Sequence, residues 1–245
     1  MMMRKLLNAL MIFVLLLIIF RNVQAKDSPK GITFNVLRVV YPASEKGGVT
    51  LTLRNNTPAV YLMQSRIQAV DPKTGDVNIT KLSDTKFPFI ITPPLSRFEA
   101  NGELTLRIRR NDAVLPTDRE SVFYISMKAL PTQSTGKQTV VMTVVSNIKL
   151  FYRPEGLARR AVADIAQKVT FFQEGKLLIA HNPTPYWLTF SRLSVGGILL
   201  DKPSLRLMIP PFGSQHYTLP ATASGRVTWQ LIDEDGWDTK VFSQD

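Results

Sequence analysis

Apolar residues recur at every second position in short runs along most of this chain, and the runs are separated by glycine, proline, asparagine and aspartate. Alternation of this kind places apolar side chains on one face of a β-strand, and the separating residues are typical of turns. The runs are ITFNVLRVVY, GVTLTLRN, VYLMQSRIQAV, FPFIITPPLSRFE, ELTLRIRR, SVFYISMKAL, KVTFFQEGKLLIAHN, YWLTFSRLSVGG, SLRLMIPP, QHYTLP and RVTWQLIDEDG. The pattern predicts an all-β protein of immunoglobulin-like β-sandwiches.

A break in the strand pattern predicts two domains. The segment RPEGLARR contains Pro154 and Gly156, which interrupt strand pairing, and the alternation resumes after it. The only helix-like stretch, GLARRAVADIAQK, follows the break and is expected to form a turn or two. We therefore predict an N-terminal domain over residues 26–153 and a C-terminal domain over residues 154–245, each large enough for its own core.

The first 25 residues have the order of a secretory signal peptide. Arg4 and Lys5 precede an almost wholly apolar run from residue 6 to residue 20, and small residues lead up to Ala25. An uncleaved anchor is the alternative, but the apolar run is shorter than the ~20 residues of a spanning helix. We predict cleavage after Ala25, export, and no stable membrane insertion afterwards.

Composition and charge narrow the function classes. The chain has no cysteine, and subtracting the three basic residues of the signal from the net charge of +11 leaves +8. Its basic residues are scattered without interleaved aromatics, which argues against nucleic-acid binding. The two histidines, His181 and His216, are far apart and lack a catalytic or metal-binding pattern. We predict no enzymatic activity, no catalytic residue, no metal and no cofactor.

Two cations interrupt apolar strands. Arg38 lies in NVLRVVY, and Lys149 lies in VVMTVVSNIKLFYRP, a stretch that is apolar at nearly every position from Val140 to Val145. A cation in such a strand is costly to desolvate unless an anion meets it. The alternative is that each side chain extends to solvent or guards an edge strand.

Four segments that span both halves of the chain carry a resemblance: ITPPLSRFE, LPTDRESVFYIS, NIKLFYRPEGL and HNPTPYWLTF. Together they resemble the periplasmic pilus chaperones, the PapD-like family of the chaperone–usher pathway. The resemblance implies two immunoglobulin-like domains in an L-shaped arrangement with a cleft between them. It implies a periplasmic chaperone that binds, folds and caps pilus subunits by donor-strand complementation and delivers them to an outer-membrane usher. It also implies a self-capping oligomer without subunit, and the short PTQSTGKQ linker resembles the short-loop subfamily.

The resemblance also implies site residues. Arg38 and Lys149 are expected to bind the subunit's C-terminal carboxylate, and the side chains expected to fill the subunit groove are Val140, Met142 and Val144. By parity, Val141 and Val145 are then expected to face the chaperone's own core. The residues expected to join the domains by a salt bridge are Arg153, Glu120 and Glu234, with Asp233 and Asp235 open as alternatives to the last.

Two other functions are considered: a structural pilus or surface component, and a two-domain sugar-binding sandwich. A pilus subunit should have a donor extension directly after the signal and one incomplete sandwich, whereas this pattern predicts two full domains. A lectin should have aromatic and acidic clusters in its loops, but Trp187, Trp229 and Trp237 lie mostly in strand-like contexts.

Overall fold

The structure is a computed structural model that describes residues 30–78, 86–132 and 143–245. The predicted signal peptide lies outside these ranges. So do two of the predicted groove-filling residues, Val140 and Met142, and Val141, which is expected to face the core. No helix in the described ranges is long and apolar enough to cross a membrane.

The first domain is a sandwich of two sheets. Its strands are β1 (Ile32–Phe34), β2 (Arg38–Pro42), β3 (Val49–Asn55), β4 (Tyr61–Gln68), β5 (Phe89–Thr92), β6 (Leu95–Phe98), β7 (Glu103–Arg110), β8 (Ser121–Pro131) and β9 (Val144–Arg153). One sheet has the order β1-β3-β7-β5 and the other β2-β9-β8-β4-β6. All pairs are antiparallel except β2 with β9, which is parallel.

Alternating apolar side chains form the core between these sheets. Leu51 and Leu53 point inward from β3, and Ile125 and Met127 point inward from β8. The residues between them in VTLTLRN face outward, as expected for a strand with one buried face. The core therefore follows directly from the alternation in the sequence.

The second domain is a second sandwich. Its elements are α1 (Val162–Ile165), a 3₁₀ turn (Ala166–Lys168), β10 (Thr170–Glu174), β11 (Leu177–Asn182), β12 (Leu188–Val195), β13 (Ile198–Leu199), α2 (Lys202–Arg206), β14 (Met208–Ile209), β15 (Gly213–Thr218), β16 (Val227–Leu231) and β17 (Phe242–Gln244). Its sheets have the orders β10-β11-β15 and β13-β12-β16-β17, and β14 pairs with β12. The aromatic residues at its centre are Phe171, Phe190, Tyr217 and Trp229.

The segment SLRLMIPP differs from the prediction. Its first half belongs to the short helix α2, and only Met208–Ile209 is a strand. The carboxylate of Asp201 accepts a hydrogen bond from the backbone N–H of Ser204 at 3.0 Å, and Pro203 lies in the first turn. An aspartate cap followed by proline starts a helix and outweighs the alternation after it.

The two apolar cores are separate clusters. Along the chain, Tyr152 is the last residue of the first core. Leu157 lies in the connecting segment and packs against the second core. Between them lie Pro154 and Gly156, and the latter has a positive φ of 87°. The predicted all-β architecture of two sandwiches is confirmed.

Candidate functional site

The two predicted cations lie side by side. Arg38 of β2 and Lys149 of β9 are direct partners in the parallel ladder, and Lys149 is also opposite Tyr124 of β8. Residues that are opposite each other in a sheet point to the same face. Arg38, Lys149 and Tyr124 therefore form one row across three strands on the outer face of the first sandwich, which we call the cation row.

The second domain contacts one end of the cation row. The Arg38 guanidinium donates through Nη1 to the carbonyl oxygen of Ile232 at 3.1 Å, and it lies 5.4 Å from the centre of the Phe151 ring. Burial lowers the pKa of Arg38 to about 10, although Glu120 and Glu234 act in the opposite direction. Arg38 is thus held by a neutral carbonyl group and an aromatic ring.

The charged form of Lys149 is disfavoured more strongly than that of Arg38. Burial first, and the neighbouring Arg38 second, lower the pKa of the Lys149 ammonium to about 7, and Asp76 partly opposes them. Among the described residues, no hydrogen bond or ion pair engages this ammonium. An anion bound in front of the pair would relieve the repulsion and supply the missing acceptor.

The two faces of β9 have different partners. Ile148, Leu150 and Tyr152 belong to the core of the first sandwich, whereas Lys149 and Phe151 point to the opposite face. The expectation that Val145 faces the core is wrong: it shares the face of Lys149 and is 50% exposed. Val144 is on the core-facing parity but is 60% exposed, because the packed core ends before the strand does.

One edge of β9 is open near its start. On one side β8 pairs with β9 from Val144 to Tyr152. On the other side β2 pairs only from Lys149 to Arg153, and no strand in the described part of the chain pairs with residues 144–148 on that side. The cation row lies at the point where this open edge ends, beside the first residue of β2.

Arg153 joins the two domains at the end of β9. Its Nε donates to Glu120 Oε1 at 2.7 Å, and its Nη2 donates to Glu234 Oε1 at 2.8 Å. The Arg153 and Glu120 side chains are almost wholly buried, and that of Glu234 is 8% exposed. The remaining N–H donors of Arg153 reach the carbonyl oxygens of Ala158 and Arg159. Arg153 is therefore tied to both domains by charge-assisted hydrogen bonds.

Each carboxylate of this joint also accepts hydrogen bonds from backbone N–H groups. Glu120 Oε2 accepts from the backbone N–H of Trp187 at 2.8 Å, and Glu234 Oε1 accepts from the N–H groups of Ala161 and Val162. Burial raises the pKa of Glu120 to about 7, and Arg153 opposes that effect.

The structure distinguishes the three acidic candidates. Glu234 contacts Arg153, whereas Asp235 pairs with the exposed Arg160 at 2.7 Å, and Asp233 accepts the backbone N–H groups of Asp235 and Trp237 within its own turn. The acidic run is thus a turn at the domain joint, and within the described ranges no group of residues is arranged to hold a metal ion.

The sequence reasoning missed the other end of the cation row. Tyr124 is buried, and its hydroxyl donates to the carbonyl oxygen of Gly75 at 2.6 Å. The run SVFYISMKAL is apolar on both faces, which signals burial of Tyr124. The pattern contains nothing that identifies the partner.

Comparison with known proteins agrees with this architecture. A family model described as the pili and flagellar-assembly chaperone, PapD N-terminal domain, matches residues 31–158, and one for the pili assembly chaperone PapD, C-terminal domain, matches residues 164–242. The chaperone protein FimC of Escherichia coli is 32% identical over 225 residues, covering 90% of this chain and 87% of FimC.

Solved structures of pilus chaperones are similar to this chain over most of its length. A chain in the complex of the SafA pilin with the SafB chaperone of Salmonella enterica is 27% identical, with a TM-score of 0.73 over 89% of this chain and 98% of its own. The periplasmic chaperone SfaE is 31% identical, with a TM-score of 0.67 over 87% of this chain and 98% of its own.

The fold and the joint define a two-domain chaperone of immunoglobulin-like sandwiches. The chain belongs to the PapD-like family of pilus-assembly chaperones. This family assignment makes the chain a fimbrial chaperone and not an enzyme. The assignment replaces the two alternatives, a structural pilus component and a sugar-binding sandwich.

Proposed function

We propose that this chain captures pilus subunits in the periplasm by pairing its strand β9 with an incomplete subunit sandwich. On export, residues 1–25 are removed, and residues 26–153 and 154–245 form the two domains. The subunit's C-terminal strand adds to the open edge of β9 at residues 144–148, and its terminal carboxylate binds to Arg38 and Lys149.

The observation that carries this proposal is the position of the cation row at the end of the open edge. A strand paired with residues 144–148 would lie in line with β2 and end where Arg38 and Lys149 point outward. Main-chain hydrogen bonds along the edge would supply affinity, and the two cations would fix the register by holding the chain terminus. Strand addition and carboxylate binding are therefore compatible in one geometry.

Side chains of β9 supply the second part of the interaction. Val144 continues the parity of the core-facing Ile148 and Leu150 but is exposed, so it is free to enter a neighbouring groove. Val140 and Met142 share this parity along the sequence. In this proposal all three side chains complete the core of the subunit, which lacks a strand of its own.

Export and the wider assembly belong to the same proposal. SfaE, a relative of this chain, is described as a periplasmic chaperone, and SafB is described in complex with a pilin. We extend both properties to this chain, together with transfer of the subunit to an outer-membrane usher and self-capping in the absence of subunit.

The test is capture in the periplasm. The tagged chain is expressed in its native host, and the co-purified protein is identified by mass spectrometry, with a pilin expected. Arg38→Ala and Lys149→Ala should each lose the pilin, because removing one partner of a buried charge pair costs ~2–5 kcal/mol. Arg109→Ala, an exposed arginine of the opposite sheet, is the matched control and should retain it.

Circular dichroism establishes that each variant is folded. Retention of the pilin by both Arg38→Ala and Lys149→Ala would contradict the carboxylate assignment.

A further inference from the structure

The turn from Asp71 to Asp76 lies between β4 and β5 and has a fixed internal structure. Asp71 and Asp76 are joined by a backbone hydrogen bond of 2.8 Å, and the N–H of Gly75 donates to the carbonyl oxygen of Asp71 at 2.8 Å. The Asp71 carboxylate accepts the N–H of Lys73, and Val70 and Val77 form a bridge at the base. This turn therefore presents Gly75 and Asp76 in defined positions.

The outer side of the turn contacts helix α2 of the second domain. Gly75 has a positive φ of 71°, and a Cβ atom at this position would lie 2.2 Å from the carbonyl oxygen of Arg206. The Arg206 side chain returns to the turn, where its Nη1 lies 3.0 Å from Asp76 Oδ2. Only glycine permits both this backbone conformation and this approach.

The inner side of the turn contacts the cation row. Tyr124 donates its hydroxyl to the Gly75 carbonyl oxygen, and Tyr124 is the ladder partner of Lys149. The second domain thus contacts one end of the row directly and is connected to the other end through the turn. At one end Ile232 accepts from Arg38, and at the other end the turn bridges Tyr124 to α2.

We propose that the Asp71–Asp76 turn is a second contact between the domains, separate from the Arg153 joint, and that it positions the cation row by fixing Tyr124. The turn is a positioning element. Its relevance to subunit capture rests on the proposed function, but its structural role does not.

The charges around Lys149 support this role. Arg38 on β2 and Tyr124 on β8 are the ladder partners of Lys149, and Asp76 on the turn is paired with Arg206. Burial and Arg38 lower the pKa of Lys149, whereas Asp76 acts in the opposite direction. The turn therefore carries an anion that favours the charged form of Lys149.

The contact across the domains is tested by hydrogen exchange on the full chain. Tyr124→Phe removes only the hydroxyl that holds the turn, and Gly75→Ala forces the turn away from Arg206. Both variants should exchange faster in residues 71–76 and also in residues 202–207 of the other domain. Gly197→Ala is the matched control, because it has a similar positive φ of 83° with nothing within 4 Å, and it should leave both segments unchanged.

The electrostatic role is tested by trace acetylation of Lys149 as a function of pH, quantified by mass spectrometry without any subunit. Asp76→Asn should shift the Lys149 labelling midpoint to lower pH. Glu103→Gln removes an exposed carboxylate from the opposite sheet and should not shift it.

Unchanged exchange of residues 202–207 in Tyr124→Phe and Gly75→Ala would overturn the second contact. An unchanged midpoint in Asp76→Asn would overturn the electrostatic contribution of the turn to the cation row. Both readouts are independent of pilin capture, so failure of this inference is distinguishable from failure of the proposed function.

Discussion

At the scale of single residues, the adjacent cations Arg38 and Lys149 destabilise the free protein and are suited to binding an anion. Arg38 and Lys149 lie next to each other, and burial together with mutual repulsion lowers the pKa of Lys149 to about 7. Perturbed groups of this kind concentrate at binding sites, where the ligand removes the conflict. The carboxylate of a chain terminus has the charge and the acceptor oxygens that the pair lacks.

Lys149→Met should therefore stabilise the free protein. The folded-state pKa of about 7 is below the ordinary 10.5, so the stability cost is fully present below pH 7 and disappears as pH rises toward 10.5. We expect the free energy of unfolding to increase by ~1–3 kcal/mol at neutral pH, and by less as the pH rises. Urea unfolding across this range measures both effects.

Lys46→Met is the control for this substitution, because Lys46 is exposed and a surface change of this type alters stability by less than ~0.5 kcal/mol. A gain in Lys149→Met that stays constant with pH, or a loss of stability, would refute the electrostatic cost.

At the scale of the element, the proposed function has one face of β9 serve two sandwiches. From Ile148 onward this face packs in the chaperone's own core, and at Val144 it is exposed and available to a partner. The other face carries Lys149 and then Arg153 toward the second domain. The proposed function thus gives β9 three environments: its own core, the second domain and the subunit.

Two neighbouring valines allow a matched test. Val144→Ala should weaken subunit capture by ~1–2 kcal/mol, since about two methyl groups leave the subunit groove, and should hardly change the stability of the free protein. Val145→Ala removes the same atoms from a comparably exposed side chain on the opposite face, and capture should stay at the wild-type level. Affinity and urea unfolding are measured on both variants. Weaker capture by Val145→Ala alone would show that the opposite face enters the subunit.

At the scale of the whole molecule, the two domains meet through buried charges. Arg153 binds Glu120 and Glu234 with side chains that are nearly inaccessible to water. Because all three side chains of this joint also bond to backbone groups, its geometry is fixed from both domains. Such a joint fixes the second domain, and with it the Ile232 carbonyl group that binds Arg38, relative to the cation row.

Removal of one carboxylate should damage this joint severely. Glu120→Ala leaves Arg153 buried with half of its anionic partners, and we expect a loss of ~3–5 kcal/mol in unfolding free energy. Glu103→Ala breaks an exposed pair with Arg54, whose side chains are 59% and 60% exposed, and should cost only ~0–1 kcal/mol. Chemical denaturation compares them directly, and equal losses would mean that the joint contributes no more than a surface pair.

The sequence by itself determined the β-strands, the two sandwiches and the positions of the cations within strands. These features are local: alternation of apolar residues sets the inward face of a strand such as β3, and proline with glycine at residues 154 and 156 marks the end of a domain. Local signals failed at α2, where the Asp201 cap and Pro203 began a helix inside an apparently alternating run.

Only the tertiary structure decided which groups meet. Because the segment from Val140 to Val145 is apolar at nearly every position, alternation within it could not assign the core side of the strand, and the opposing sheet chose Ile148 and Leu150. Packing of the two domains selected Glu234 from three adjacent acids, and packing within the first domain brought the Gly75 carbonyl group to Tyr124. Such contacts depend on how separate strands and domains pack in space, and a linear pattern carries no information about the distance between residues remote in the chain.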